Sequence, residues 1–155
     1  MAVWVSNKPT ASGTPKGMSK EHGRRLDQMD EHEAFDFLAR QFASLSAEEE
    51  YDLRHEDYVM DMPQSGERIT GRDNMRAFQR AYPENAPPPA IRLRRVLVRD
   101  GLWVAEGVSD YAGRIYNVVD IIELRDGRIF RETRYYADPF EAPAWRAQWV
   151  ERINV

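Results

Sequence analysis

Residues 91–137 read IRLRRVLVRDGLWVAEGVSDYAGRIYNVVDIIELRDGRIFRETRYYA. This stretch contains four runs that are rich in β-branched and aromatic residues, a composition typical of strands. The runs are separated by Asp100-Gly101, Ala112-Gly113 and Asp126-Gly127. Pairs of this kind, with a glycine that tolerates positive φ, are typical of tight hairpins. The sequence therefore predicts an antiparallel meander of four strands.

The residues before the meander favour helices. Phe35, Leu38, Phe42 and Leu45 recur every three or four residues, which gives a helix one apolar face. Ser46 and Glu49 have the spacing of a capping box, so a second helix is expected to continue to about Arg54. A third helix is predicted over residues 71–83, where Pro83 stops it.

Four other segments complete the predicted organisation. The segment DYVMDMP (57–63) is expected to form a short strand, followed by a loop over 65–71, and a last helix is expected over 144–153. Residues 1–25 are small, polar and rich in Gly and Pro, so we expect a disordered tail. Helices followed by a run of strands indicate an α+β domain over residues 26–155, with the helices packed on one face of a curved sheet that encloses a pocket.

Composition excludes several classes of protein. The 155 residues carry 26 acidic and 22 basic side chains, with three histidines and no cysteine. Disulfides and thiolate chemistry are therefore excluded, and a histidine-rich metal site is not expected. The formal charge of −4 argues against a nucleic-acid partner, and no apolar stretch reaches the length of a membrane span. We expect a cytoplasmic protein with no metal, no cofactor, no nucleic-acid partner and no membrane partner.

Three stretches resemble the nuclear transport factor 2-like (NTF2-like) superfamily, in its SnoaL-like branch. They are EDYVMDMPQSGERITGRDNMRAF (56–78), VVDIIELRDGRI (118–129) and RETRYYADPFEAPAW (131–145). The resemblance covers about residues 28–153 and implies a cone-shaped α+β fold. The superfamily includes polyketide cyclases, ketosteroid isomerase and limonene-epoxide hydrolase, so the fold alone does not define a reaction.

The catalytic sets of two of these enzymes do not match. Limonene-epoxide hydrolase-like members use an Asp–Arg–Asp set, and the matching positions here are Gly107, Ser109 and Arg134. Ketosteroid isomerase-like members place an aspartate base where this chain has Met62. The resemblance also implies that Asp61 lies near the cavity floor, as a substrate-binding residue. Alternation, however, places Asp61 on the side opposite Met62.

The hairpins predict which side chains share a face. A two-residue turn at Ala112-Gly113 pairs Tyr111 with Arg114. At the next hairpin we expect a three-residue loop with a bulge at Gly127, which pairs Leu124 with Arg128 and keeps the last strand's pocket positions inward, in agreement with the resemblance. A strict two-residue loop would exchange the two faces of that strand. The predicted inner face carries Ala105, Gly107, Ser109, Tyr116, Val118, Asp120, Ile122, Glu132, Arg134 and Tyr136.

The opposite face is expected to be an interface. It carries an apolar patch that includes Val104, Val108, Val119 and Ile121. A monomer rarely exposes such a patch, so we predict a homodimer through the outer sheet face. The alternative is that helices cover this face.

Asp120, Arg134 and Glu132 are the candidate catalytic residues. Asp120 interrupts the apolar run VVDII, where a carboxylate is costly unless it is paired or functional, and Arg134 is expected diagonally beside it. A second carboxylate, Glu132, raises one of the two pKa values and creates a general acid or base. The alternative is a structural ion pair that fixes the strands.

The remaining inner-face residues are candidates for substrate binding. Tyr116 and Tyr136 carry phenols that donate to a carbonyl or oxyanion, while Gly107, Ser109 and Val118 leave room for a ligand. We therefore predict a pocket for a small apolar organic ligand and cofactor-independent acid/base chemistry, as in an isomerase, cyclase, dehydratase or hydrolase. The alternative is a non-catalytic ligand-binding or assembly domain.

Overall fold

A computed structural model describes residues 25–83, 86 and 88–153. Apart from Arg25, the predicted tail lies outside the described residues. The helices are α1 (Glu31–Ser44), α2 (Ala47–Leu53) and α3 (Arg72–Arg80), with 3₁₀ turns at Leu26–Gln28 and Ala144–Trp149. The strands are β1 (Arg54–Met62), β2 (Glu67–Thr70), β3 (Ala90–Arg99), β4 (Leu102–Tyr111), β5 (Arg114–Arg125) and β6 (Arg128–Ala137).

The strands form one curved, open sheet in the order β2-β1-β6-β5-β4-β3. Neighbouring strands are antiparallel, except that β1 and β6 are parallel. The helices lie on one side of this sheet, and the core between them includes Leu38, Met60, Trp103, Ile122 and Ile129. The predicted α+β architecture, with a meander of β3 to β6, is confirmed.

Local sequence signals define the first two helices. At the start of α1, the side chain of Asp30 accepts from the backbone N–H of Glu33, and the Glu33 side chain accepts from the N–H of Asp30. The predicted capping box of Ser46 and Glu49 begins α2 in the same way. Each box satisfies backbone N–H groups that a helix start leaves unpaired.

The three glycine-containing turns of the β3–β6 meander are two-residue hairpins. Both turn residues have positive φ in each case, for example 52° at Asp126 and 74° at Gly127, as the right-handed twist of the strands favours. The β4–β5 pairing is confirmed, including Tyr111 with Arg114 and Ala105 with Asp120.

The predicted register of the last hairpin is wrong. The turn at Asp126-Gly127 pairs Arg125 with Arg128, and a bulge at Phe130 then brings Asp120 directly opposite Arg134 rather than opposite Glu132. The extra residue therefore lies in β6, whereas the predicted three-residue loop places it in the turn. The bulge shifts the alternation of β6 by one residue, so the same side chains face inward as predicted. Glu132, Arg134 and Tyr136 are among them, and all three are buried.

Two other segments differ from prediction. Residues 67–70 lie inside the predicted loop but form the edge strand β2, whose Ile69 packs against the core. The predicted helix over 144–153 is only a 3₁₀ turn. Trp145 and Trp149 there are 73% and 71% exposed, so the packing that would support a longer helix is missing.

Candidate active site

A narrow cavity lies between the inner face of the meander and the end of α1. Its volume is about 30 Å³, and it opens to solvent. On the same measure a water molecule needs roughly 10–15 Å³, so the cavity admits only a small group. The wall consists of Phe42, Ile91, Leu93, Ala105, Gly107, Ser109, Val118, Asp120, Arg134 and Tyr136.

Asp120, Arg134 and Glu132 form one buried cluster, and each of the three is at most 4% exposed. The Nε of Arg134 donates to Oδ2 of Asp120 at 3.0 Å, and its Nη2 donates to Oε1 of Glu132 at 3.0 Å. One guanidinium is therefore shared between two carboxylates. The other oxygen of Asp120, Oδ1, is buried and has no hydrogen-bond partner among the described residues.

A second layer of polar groups lies behind this cluster. The phenol of Tyr58 on β1 donates to Oε2 of Glu132. Arg54, at the start of β1, donates to Glu50 at 2.5 Å and to Gln79 at 3.0 Å. Its guanidinium also lies 5.1 Å from the centre of the Tyr58 ring.

Burial and charge move the two carboxylate pKa values apart. Loss of solvent, together with the negative charge of Glu132, raises the pKa of Asp120 to about 7 despite the attraction of Arg134. Burial also acts to raise the pKa of Glu132, but the charges of Arg134 and Arg54 and the hydrogen bond from Tyr58 bring it below its usual value. Such a separated pair supplies one charged group and one group that exchanges a proton near neutrality.

The structure places six of the predicted site residues in the cavity wall: Gly107, Ser109, Val118, Asp120, Arg134 and Tyr136. Glu132 faces inward but lies outside that wall, because it is buried between Arg134 and Tyr58. Its predicted role as a residue that touches substrate is therefore corrected. Tyr116 is also outside the wall; its ring packs edge-on against Tyr111 and Tyr136, at 5.7 and 6.4 Å between centroids.

Asp61 does not lie at the cavity floor. Met60 and Met62 face the core, so alternation turns Asp61 to the outer side of the sheet. There its carboxylate accepts from Arg68 at 2.5 and 3.0 Å and from Arg131 at 2.7 Å. These hydrogen bonds outweigh partial desolvation and lower the pKa of Asp61 to about 2. The resemblance-based expectation for Asp61 is thus wrong, whereas the alternation pattern was right.

The comparisons with known proteins agree with the fold. A family model described as the SnoaL-like domain matches residues 33–132. The chain belongs to the SnoaL-like family. The sequence has no match among curated proteins.

Several solved structures are similar to this SnoaL-like domain. An NTF-2-like protein of unknown function from Burkholderia xenovorans is 41% identical, with a TM-score of 0.61 over 70% of this chain and 83% of that chain. A proposed ketosteroid isomerase from Kribbella flavida is 27% identical, with a TM-score of 0.66 over 80% and 87%. An epoxide hydrolase of Mycobacterium tuberculosis that resembles limonene-epoxide hydrolase is 17% identical, with a TM-score of 0.53 over 68% and 84%, and shows the fold alone.

One glycine in the SnoaL-like pocket is required by the backbone. A Cβ at Gly107 would lie 2.8 Å from the carbonyl oxygen of Arg92, next to the bulge between Leu93 and Arg95 in β3. That bulge keeps Leu93 in the cavity wall and Val96 in the core. Gly107 therefore allows β3 to approach closely and narrow the pocket.

Sequence reasoning missed the second layer and part of the wall. Ile91 and Leu93 alternate with arginines, a signal that could have assigned them to the pocket. Glu50 and Arg54 have the i, i+4 spacing of an ion pair, yet Glu50 lies in an acidic run that is typical of a solvated helix face. Tyr58 could be assigned to the inner side by alternation with Met60, but nothing local indicates its contact with Glu132.

The described part of the domain contains no group of three or more histidine or acidic side chains arranged to hold a metal ion. In the same residues, no helix has the length and apolar character needed to cross a membrane.

Proposed function

We propose that this SnoaL-like domain is a cofactor-independent acid/base enzyme that acts on a small apolar organic molecule. The observation that carries the proposal is the carboxyl group of Asp120. It lines an apolar cavity, leaves Oδ1 without a partner among the described residues and has a pKa raised to about 7. A general acid or base works best when its pKa is near the working pH.

In the proposed chemistry Asp120 moves the proton and Arg134 stabilises charge. The ionised carboxylate accepts a proton from the substrate at Oδ1, and the protonated carboxyl returns it at another position or to a leaving group. Arg134 lies in the same wall, held by Asp120 and Glu132, so it can stabilise negative charge that develops on the substrate. The wall also contains the phenol of Tyr136, a donor of the type that stabilises such charge. One positioned base contributes about 10²- to 10⁴-fold.

The width of the cavity restricts the substrate. A cavity of about 30 Å³ accepts the reacting group of a substrate, while the remainder of the molecule extends out of the cavity toward solvent. Isomerisation, cyclisation and dehydration all include a proton transfer at such a group. Hydrolysis includes one as well, with a water molecule from solvent as the second reactant. The 27% identity to a protein described as a proposed ketosteroid isomerase supports proton transfer of this kind.

Proton transfer at carbon can be tested without knowledge of the natural substrate. The probes are 3-pentanone and 3-methylbutanal in D₂O, with exchange of the hydrogens next to the carbonyl followed by proton NMR. We expect the protein to accelerate exchange and Asp120→Asn to abolish the acceleration. Asp61→Asn is the matched control, because it removes an arginine-paired carboxylate from the outer face. Equal exchange rates for the wild-type protein and Asp120→Asn would contradict the proposal.

The alternative proposal is a non-catalytic binding or assembly domain in which the buried charges form a structural network. It is favoured by the small volume of the cavity and by the two carboxylates that hold Arg134. On this proposal Asp120→Asn lowers stability by several kcal/mol, because it disturbs a buried ion pair. An acid/base role instead predicts that Asp120→Asn leaves the melting temperature unchanged or raises it at pH 8.

We also propose a homodimer through the outer sheet face. The large apolar side chains of Leu97, Leu102, Ile115 and Tyr135 are 40–47% exposed, and the pairing puts them on one face with Val104, Val119 and Ile121. The helices contact the other face, which leaves this patch available for a second copy. Sedimentation should show a dimer that dissociates in Tyr135→Glu. A wild-type monomer would contradict the proposal.

A further inference from the structure

A continuous chain of buried hydrogen bonds links the pocket to β1. It runs from Tyr58 to Glu132, from Glu132 to Arg134, and from Arg134 to Asp120. The exposed fractions of Tyr58 and Glu132 are 0% and 1%. Only Arg134 and Asp120 of these four residues lie in the cavity wall, so Tyr58 and Glu132 act on a ligand only through them.

The hydrogen bond from Tyr58 to Glu132 determines how the guanidinium of Arg134 is shared between Glu132 and Asp120. A buried carboxylate stays ionised only when donors and positive charges compensate for lost solvent. Glu132 has three such partners, namely the phenol of Tyr58, the guanidinium of Arg134 and the nearby charge of Arg54. While Glu132 is ionised it holds one side of Arg134 and repels a second negative charge on Asp120.

The charged groups around Asp120 agree with this sharing of Arg134 between the two carboxylates. The charged groups that influence Asp120 are Arg134 and Glu132 on β6 and Arg54 on β1. On the β4 side it is opposite Ala105, and on the β3 side the cavity wall consists of Ile91 and Leu93. Removal of the negative charge of Glu132 therefore leaves Arg134 and Arg54 as the charges that act on Asp120.

We propose that Tyr58 is a positioning residue: its phenol keeps Glu132 ionised and bound to Arg134, and thereby makes Asp120 the group that exchanges the proton. This inference rests on the proposed function, since it concerns the same carboxyl group. It assigns a role in that chemistry to a residue on a different strand that has no contact with the cavity.

The test is an NMR titration of protein labelled with ¹³C at the aspartate carboxyl carbons. The Asp120 signal is assigned by its absence in Asp120→Asn. In Tyr58→Phe, Glu132 loses a donor and binds a proton more readily, so Arg134 turns to Asp120 and the Asp120 midpoint falls, by about half a pH unit or more. Glu132→Gln removes the competing charge without touching the phenol and should lower the midpoint by about one unit or more.

Tyr111→Phe is the matched control, since it removes a buried phenol outside this chain of hydrogen bonds. We expect it to leave the Asp120 midpoint unchanged. A folded Tyr58→Phe that keeps the wild-type Asp120 midpoint would overturn the inference and leave Tyr58 a structural residue, whatever the midpoint in Glu132→Gln. The proposed function fails by a different result, namely wild-type exchange activity that survives Asp120→Asn.

Discussion

Two aspartate–arginine clusters lie on opposite faces of the same sheet. In the inner cluster one guanidinium, Arg134, is shared by Asp120 and Glu132 under almost complete burial. In the outer cluster one carboxylate, Asp61, is shared by Arg68 and Arg131, whose side chains are 57% and 39% exposed. The pKa of Asp120 rises to about 7, whereas that of Asp61 falls to about 2.

The difference shows that pairing with arginine does not by itself keep an aspartate ionised. Two features of the surroundings decide the outcome, namely the ratio of carboxylates to guanidiniums and the access of water. The inner cluster has surplus negative charge in an apolar setting, so it takes up a proton near neutrality. The outer cluster has surplus positive charge near solvent and remains a surface ion pair.

The largest expected difference between the two clusters is their effect on the rate of turnover. Asp120→Asn removes the proton acceptor while keeping an oxygen for Arg134, so we expect a loss of about 10²- to 10⁴-fold. Asp61→Asn should change the rate less than about twofold, because Asp61 lies on the other face of the sheet. The exchange assay with 3-pentanone measures both variants. A similar loss in the two variants would refute the assignment of the inner cluster as the reactive one.

Removal of each arginine should give unequal losses of stability. Arg134→Met leaves two buried carboxylates without their shared cation, so unfolding free energy at pH 8 should fall by about 3–5 kcal/mol. Arg68→Met removes an exposed partner of Asp61, which still keeps Arg131, and should cost about 1 kcal/mol or less. Urea denaturation of both variants measures this difference. Comparable losses would mean that burial does not distinguish the clusters.

The stability of the two clusters should depend on pH with opposite sign. The pKa of Asp61 is lowered from 3.8 to about 2, so its contribution is present above pH 3.8 and is lost as the pH falls through about 2. The pKa of Asp120 is raised from 3.8 to about 7, so its contribution is present below pH 3.8 and is lost as the pH rises through about 7.

Asp61→Asn should therefore lose its destabilising effect toward pH 2, and the full effect should be about 1–2 kcal/mol, since its partners are partly screened by solvent. Asp120→Asn should gain stability relative to the wild type between pH 5 and pH 8. Denaturation at four pH values measures both slopes. Slopes of the same sign would contradict the two pKa directions.

The smallest expected effect concerns the apolar wall of the pocket. Phe42 is the wall residue contributed by α1, and Phe42→Ala should admit water beside Asp120. Better solvation favours the carboxylate, so the Asp120 midpoint should fall by about half a unit, while that of Asp61 stays constant. The ¹³C titration measures both signals together. An unchanged Asp120 midpoint would show that desolvation by Phe42 does not contribute to the raised pKa of Asp120.

The fold and the inner face of the pocket could largely be predicted from sequence. Strand composition and glycine turns indicate the meander, and alternation assigns Asp120, Arg134 and Tyr136 to one face. The bulge at Phe130 could not be predicted. An extra residue in the loop and an extra residue in a bulge both place the same side chains of β6 on the inner face. As a result the partner of Asp120 was wrong although its face was right.

The second layer depends on contacts between distant segments. Tyr58 and Glu132 are 74 positions apart and meet because β1 lies parallel to β6. Local periodicity carries no information on that pairing. Asp61 shows the opposite case. The alternation of side chains along β1 assigns it to the side opposite Met62, as observed, whereas the resemblance to the superfamily wrongly assigns it to the cavity floor.

The titration of the wild-type aspartate carboxyl carbons bears on both clusters in one experiment. The proposed chemistry requires that Asp120 titrate near pH 7 while Asp61 remains ionised down to about pH 2. If the Asp120 signal instead titrates at or below pH 4, its carboxylate is a permanently charged partner of Arg134, and the acid/base proposal is contradicted.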